Sequence, residues 1–195
     1  LNPIACQKTT VTNSFLWSYD DSMAIKGGWQ YSNGEYCEDI LVKDTVFWNH
    51  GPVIGFESRT DIIRNITFQN LDVIRPRSNS ENGDEFYNLR VGVMQVNITD
   101  RAKTSNIRFE NIRIFNPVDV DLIGVRVHQS YASQDTTRGT IDGVTFKDIQ
   151  VLNAPTGWKG RSVFRGYDAT HGVKNVSFSN ISINGKIATT AGDIN

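Results

Sequence analysis

Ile66-Thr67-Phe68-Gln69-Asn70 and Ile107-Arg108-Phe109-Glu110-Asn111 are two copies of one pattern, alternating apolar residues closed by Asn or Asp. Four more copies occur: Thr9-Thr10-Val11-Thr12-Asn13, Ile40-Leu41-Val42-Lys43-Asp44, Val144-Thr145-Phe146-Lys147-Asp148 and Val176-Ser177-Phe178-Ser179-Asn180. The closing residues fall at 13, 44, 70, 111, 148 and 180, so the steps are 31, 26, 41, 37 and 32 residues. Self-similarity at such a spacing marks a repeat architecture, and period-2 alternation makes each copy a strand with one buried face. No segment carries a sustained 3.6-residue apolar stripe, which argues against helical solenoids. Leucine is too sparse for leucine-rich repeats, and propeller blades need about four strands per ~40 residues. The expected fold is all-β: a right-handed single-stranded parallel β-helix of about six coils, each with two or three short strands. Variable steps become loops of variable length on a constant core. The Asn or Asp that ends each copy is expected to stack at a corner, its side chain bonding the backbone of the neighbouring turn.

A second column follows the first: Ala24-Ile25-Lys26, Val53-Ile54-Gly55-Phe56, Val93-Met94-Gln95-Val96, Val125-Arg126-Val127-His128 and Val163-Phe164-Arg165. These read as the next strand of each coil. Excursions suited to walling a groove separate the columns, at Arg75 to Leu89 and Phe115 to Leu122, and join successive coils, at Trp29 to Tyr36, Gln129 to Arg138 and Gly166 to His171.

Composition narrows the function. At 195 residues this is a single domain spanning 1–195, expected to be a piece of a longer β-helix truncated at both ends. A net charge of −1 and a pI near 6.3 argue against a nucleic-acid surface. No apolar run approaches the ~18 residues of a membrane span. The three histidines are far apart and no Cys/His ligand spacing occurs, so neither a metal nor a cofactor is expected. Cys6 and Cys37 each lie seven residues before a corner residue, which stacks them on neighbouring coils as a disulfide or as two buried thiols. A bridge would favour an exported protein.

The chemistry concentrates in Trp17-Ser18-Tyr19-Asp20-Asp21-Ser22-Met23-Ala24-Ile25-Lys26-Gly27-Gly28. Adjacent carboxylates repel, so one of Asp20 and Asp21 is expected to hold its proton to higher pH, as general acid catalysis near neutrality requires. On the coil register, Asn49-His50-Gly51 puts His50 at the corner one layer above the pair. Sugar rings stack their C–H faces on aromatic planes. Trp29 and Tyr31 are read as such a subsite, and Trp17 and Trp48 as core.

These motifs resemble a known family. Asp20 to Gly28 looks like the Asp-Asp-Cys-Ile-Ala-Ile-Lys-Ser-Gly signature of polygalacturonases, glycoside hydrolase family 28, and Asn49-His50-Gly51 resembles its Gly-His-Gly element. The stretch from Asn49 through Ser58-Arg59 to Leu71-Asp72-Val73-Ile74 is also similar to the dextranase and isopullulanase group, family 49. The resemblance implies a polysaccharide hydrolase with an inverting two-carboxylate mechanism. Asp20 would be the general acid and His50 a supporting residue. Asp21 would activate water together with an aspartate one coil earlier, and Lys26 would close the motif. A secreted or periplasmic monomer is implied. Two departures matter. Leu1-Asn2-Pro3 aligns with the end of the family's Asp-Gly-x-Asp-Pro element, so the water-activating aspartate is expected just before Leu1 and Asn2 stands where a second aspartate is usual. The family's Arg-x-Lys grip on a uronate is also missing from Gly92-Val93-Met94-Gln95-Val96. Gly124-Val125-Arg126-Val127-His128 resembles that grip one coil late, and Arg75 or Arg77 can supply a cation from the loop. Lys26, Trp29, Tyr31, Arg77 and Arg126 are therefore the candidate substrate-binding residues. A uronate with no buried cation would leave a carboxylate unpaired, so a neutral glucan is favoured over pectate. A non-catalytic carbohydrate-binding or structural β-helix stays open, as does a lyase or pectin esterase of the same shape.

Overall fold

Asn and Asp at five-residue intervals turn the corners of this chain. The computed structural model describes residues 1–28, 36–56, 58–59, 62–77, 92–131, 133–158 and 160–194. In chain order the strands are β1 (Gln7–Thr12), β2 (Phe15–Trp17), β3 (Met23–Ile25), β4 (Cys37–Trp48), β5 (Pro52–Ile54), β6 (Ile62–Ile74) and β7 (Gly92–Ile98). There follow β8 (Lys103–Phe115), β9 (Asp121–Val127), β10 (Thr140–Leu152), β11 (Ser162–Arg165), β12 (Val173–Ile183) and β13 (Lys186–Ile187). Among the described residues they form two sheets. One runs β1-β4-β6-β8-β10-β12, with β2 also on β4 and β13 antiparallel to β12; sheet two runs β3-β5-β7-β9-β11. All other pairings are parallel. Each coil is one long bent strand followed by one strand of sheet two, which is a parallel β-helix.

The long strands bend without breaking, where short separate strands were expected. Each bend is a residue with left-handed backbone: Asp39 and Asp44 in β4, Asn65 and Asn70 in β6, Asn106 and Asn111 in β8, Gly143 and Asp148 in β10. Asn and Asp tolerate that conformation better than other side chains. Their side chains then bond one another from rung to rung. Asn70 donates to Asp44 at 2.6 Å, Asn111 to Asn70 at 3.2 Å and Asn180 to Asp148 at 2.7 Å. In the column five residues earlier, Asn65 donates to Asp39 and Asn106 to Asn65, both at 2.9 Å. The expected bond from side chain to neighbouring backbone is thus corrected to an amide ladder between side chains.

Strict register stacks like on like inside. Phe68, Phe109, Phe146 and Phe178 lie face to face, with centroids 5.0, 5.1 and 5.4 Å apart and planes within 10°. The first three rings are fully buried, each contributing on the order of 2–3 kcal/mol from area alone. In sheet two, Met23, Ile25, Ile54, Met94, Val96, Ile123 and Val125 face the core. Ala24, Val53, Gln95 and Gly124 therefore share the outward face of successive strands. Gln7 pairs with Glu38, so Cys6 and Cys37 sit on adjacent rungs, as free thiols. Burial pushes the Cys37 thiol up to about 12.

Candidate active site

The corner leading into sheet two gathers the chemistry. Successive rungs bring Tyr19-Asp20-Asp21, then Asn49-His50-Gly51, then Pro76-Arg77. The rungs are tied by Ser22 Oγ to the Trp48 carbonyl (3.4 Å), by Asn49 N–H to the Ile74 carbonyl (3.0 Å) and by Arg77 N–H to the Asn49 carbonyl (2.9 Å). Asp20 is exposed and Asp21 half-buried. Between them the backbone turns, the Asp21 N–H donating to Asp20 Oδ1 at 2.9 Å, while Ser18 Oγ donates to the Asp20 carbonyl.

His50 is buried at 2 % exposure, and neither ring nitrogen completes a hydrogen bond of full geometry. Burial lowers its pKa from the ordinary value and the Arg77 guanidinium lowers it further. The Asp20 carboxylate and the Tyr19 carbonyl partly oppose them. The ring is therefore neutral at neutral pH, held between an acid on one rung and a cation on the next. Its position rests on Gly51: a Cβ there would fall 1.8 Å from the Val93 carbonyl oxygen. Only glycine lets the next strand pack this closely beside the histidine.

Arg77 reaches back across the histidine's rung, its guanidinium 5.9 Å from the Tyr19 ring centroid. Trp17 lies 6.0 Å from Tyr19, and the two rings are 61 % and 74 % exposed. Trp17 is therefore no core residue, and Trp48 is half-buried on the same outward face. The reason is parity: Leu16 and Phe47 turn inward, so their neighbours turn out.

Beyond this corner the outward face of sheet two is polar, with Asn97 followed on the next rungs by Arg126 and Arg165. Gln95 and Asn97, 3 % and 7 % exposed, are joined by Asn97 Nδ2 to Gln95 Oε1 at 2.6 Å. At the far end of the strands Tyr131 meets Phe56 edge-on, centroids 6.3 Å apart. The loop bearing Tyr131 is pinned by fully buried Asp100, which accepts the N–H groups of Gln134 (2.6 Å) and Asp135 (2.7 Å). Asp135 in turn accepts Arg101 at 3.0 and 3.1 Å and Arg59 at 3.4 Å. A carboxylate pair beside a neutral histidine, with aromatic rings at both rims of a polar floor, is suited to acid-assisted cleavage between sugar rings.

Comparison with known families decides the class. The sequence pattern of glycosyl hydrolases family 28 matches residues 1–194. The chain belongs to glycosyl hydrolases family 28. No curated protein and no solved structure matches it. A family 28 chain is a polysaccharide hydrolase, and the remaining candidates can be placed on that basis.

Lys26 directly follows β3, five residues beyond Asp21 and so roughly 16 Å along an extended chain; it bridges to Ile4 at the opposite rim from the acids. That bridge stacks Asn2 over Ala24 on the outward face, one rung before the acid pair. Arg126 is 2 % exposed and ion-paired with Asp121 at 3.4 Å, and Asp121 also accepts Arg161 at 3.0 Å. Its guanidinium packs 3.3 Å from where a Gly124 Cβ would stand. Arg126 is thus as buried as Gln95 on the same face and is held by an acid of its own. Trp29 and Tyr31 lie outside the described residues. Gln95 and Asn97 went unnoticed in the sequence, although polar residues at alternate positions of an otherwise apolar strand were the signal. Among the described residues no group of three His, Cys, Asp or Glu is placed to hold a metal, and no helix is long and apolar enough to cross a membrane.

Proposed function

We propose that this family 28 chain hydrolyses a neutral glycan with inversion, using Asp20 as general acid. The observation that supports this most is the three-rung stack of Asp20, neutral His50 and Arg77 at the mouth of sheet two. Exposed Asp20 gives its proton to the glycosidic oxygen as the C1–O bond breaks. Asp21 takes a proton from the water that attacks C1 from the opposite face, so the product forms with the other anomeric configuration. His50 holds the acid's orientation without adding a positive charge beside it. Trp17 and Tyr19 offer planes for the sugar next to the scissile bond.

The neutral Gln95–Asn97 pair supports a neutral sugar, since each amide can both donate and accept with hydroxyl groups. Arg126 and Arg161 share the single carboxylate Asp121, so that part of the floor keeps a positive charge, and pectate is the substrate that tests the preference for a neutral sugar. Extracellular action fits the family. Asn2 favours a second reading, because an amide cannot take a proton from water as an aspartate does. On that reading the chain binds glycan without cutting it.

One experiment separates the two. Wild type and Asp20→Asn are incubated with dextran, pullulan and pectate, reading new reducing ends and, by NMR, the first anomer formed. Wild type is expected to act on dextran or pullulan with inversion, and Asp20→Asn to lose about 10²–10⁴-fold. Full activity in Asp20→Asn would sink the assignment of the acid. Binding with no new ends in either protein would establish the second reading.

A further inference from the structure

A column of apolar side chains runs down the outside of the first sheet, starting at the candidate site. Trp17 pairs with Trp48, Trp48 with Ile74, Ile74 with Phe115 and Phe115 with Leu152. All five face outward, since Leu16, Phe47, Val73, Ile114 and Val151 beside them turn into the core. Trp17 is exposed and the others are half-buried. Four rung steps of ~4.8 Å make the column roughly 19 Å long and straight.

Outward positions elsewhere on these strands carry Lys43, Gln69, Glu110 and Lys147, as a solvated sheet face should. From Ile74 onward the column's flanks are polar, while Phe15 and Val46 border its first two rungs. Asp72 and Arg113 are ion-paired on one side, beyond Val46. The corner residues Asn49, Asn116 and Asn153 stand on the other.

We propose that this column is a second saccharide-binding surface, holding a polysaccharide chain along the long axis of the β-helix and feeding it to the acid site. Three features select a glycan. The strip is one side chain wide from Ile74 to Leu152 and widens only at its first rungs, where Phe15 packs on Trp48 at 6.3 Å, so it offers far less than the ~800 Å² per partner of a stable protein interface. Apolar planes between rows of amide, carboxylate and guanidinium groups match a ring with C–H faces and hydroxyl edges. The column also runs directly into the site: Trp17 touches Tyr19 at 6.0 Å, and Tyr19 precedes the acid Asp20. The inference rests on the hydrolase reading for its feeding role but not for binding itself.

The test uses the full chain with Phe115→Ser and Leu152→Ser, both remote from the acid corner, and Phe115→Tyr as the conservative control. Retardation in native gels containing dextran, pullulan or pectate reads binding. Hydrolysis is compared on the polymer and on a short oligosaccharide of the same linkage. The serine variants are expected to lose most retardation and about tenfold in kcat/KM on polymer, with oligosaccharide hydrolysis and melting temperature unchanged, while Phe115→Tyr behaves as wild type. Unaltered retardation of both serine variants overturns the proposal. So does equal loss on polymer and oligosaccharide, or a change of oligomeric state in sedimentation, which would make the column a protein contact. If wild type cuts nothing yet is retarded, and the serine variants are not, the binding surface stands and the hydrolase reading falls.

Discussion

His50 is expensive for the fold. A buried donor and acceptor without full partners cost about 1–3 kcal/mol, and both ring nitrogens are in that position. If the histidine serves only packing, an apolar residue of similar volume would serve better. His50→Leu is expected to melt at the same temperature or a few degrees higher, yet to lose about 10²-fold in activity by misplacing the acid. A destabilised His50→Leu with normal activity would make it a structural residue. The acids and this histidine were legible because each sits in a short motif whose register the repeat supplies. Arg77 over Tyr19 was not, because that contact skips a rung and depends on side-chain reach. Trp17 was misassigned to the core because a strand's period gives two faces without saying which is inside.

At the element scale the corners carry the fold. Asn70 has left-handed backbone, donates to Asp44, and accepts from Asn111 and, at 3.0 Å, from Arg113. Asn70→Ala therefore loses both conformational tolerance and the ladder, and is expected to cost about 2–3 kcal/mol. Asn70→Gly loses only the ladder and should recover about 1 kcal/mol of that. Urea unfolding of the two variants checks the difference, and equal destabilisation would remove the backbone from the explanation. The middle corner column was readable because Asn or Asp occupies it in every copy. Its neighbours five residues away were not, because Lys8, Arg75 and Gly143 interrupt them. Continuous bent strands were missed because a left-handed residue turns the chain and drops out of the pairing, while the ladder resumes at the next residue.

Across the whole molecule, pH acts on groups spread over separate coils and with separate windows. His128 follows β9 with Nε2 buried and Nδ1 donating to the Gln129 carbonyl at 3.2 Å. Burial pushes its pKa down to about 4; the Gln129 carbonyl opposes this, and Arg126, Arg165 and Arg138 add to it. Unfolded, the ring titrates near 6.5. Above that value both states are neutral and stability does not depend on this group. Between 6.5 and 4 the unfolded chain binds a proton that the folded chain refuses, so stability falls as pH falls; below 4 both are charged and the loss levels off. Because the residue is half-buried, the loss is about 2 kcal/mol and not the full value of the shift. Asp168, held low by His171 and by the N–H groups of His171 and Thr170, acts in a different range. Its stabilisation is present above the ordinary carboxylate pKa and is lost only in more acid solution. Urea midpoints of wild type should therefore drop in two stages on acidification. His128→Gln keeps a polar side chain of comparable reach but does not titrate, so it should shrink the stage between pH 6.5 and 4 to the part that buried His50 contributes, and leave the lower one. An unchanged upper stage in that variant would assign the acid sensitivity of the β-helix to other groups.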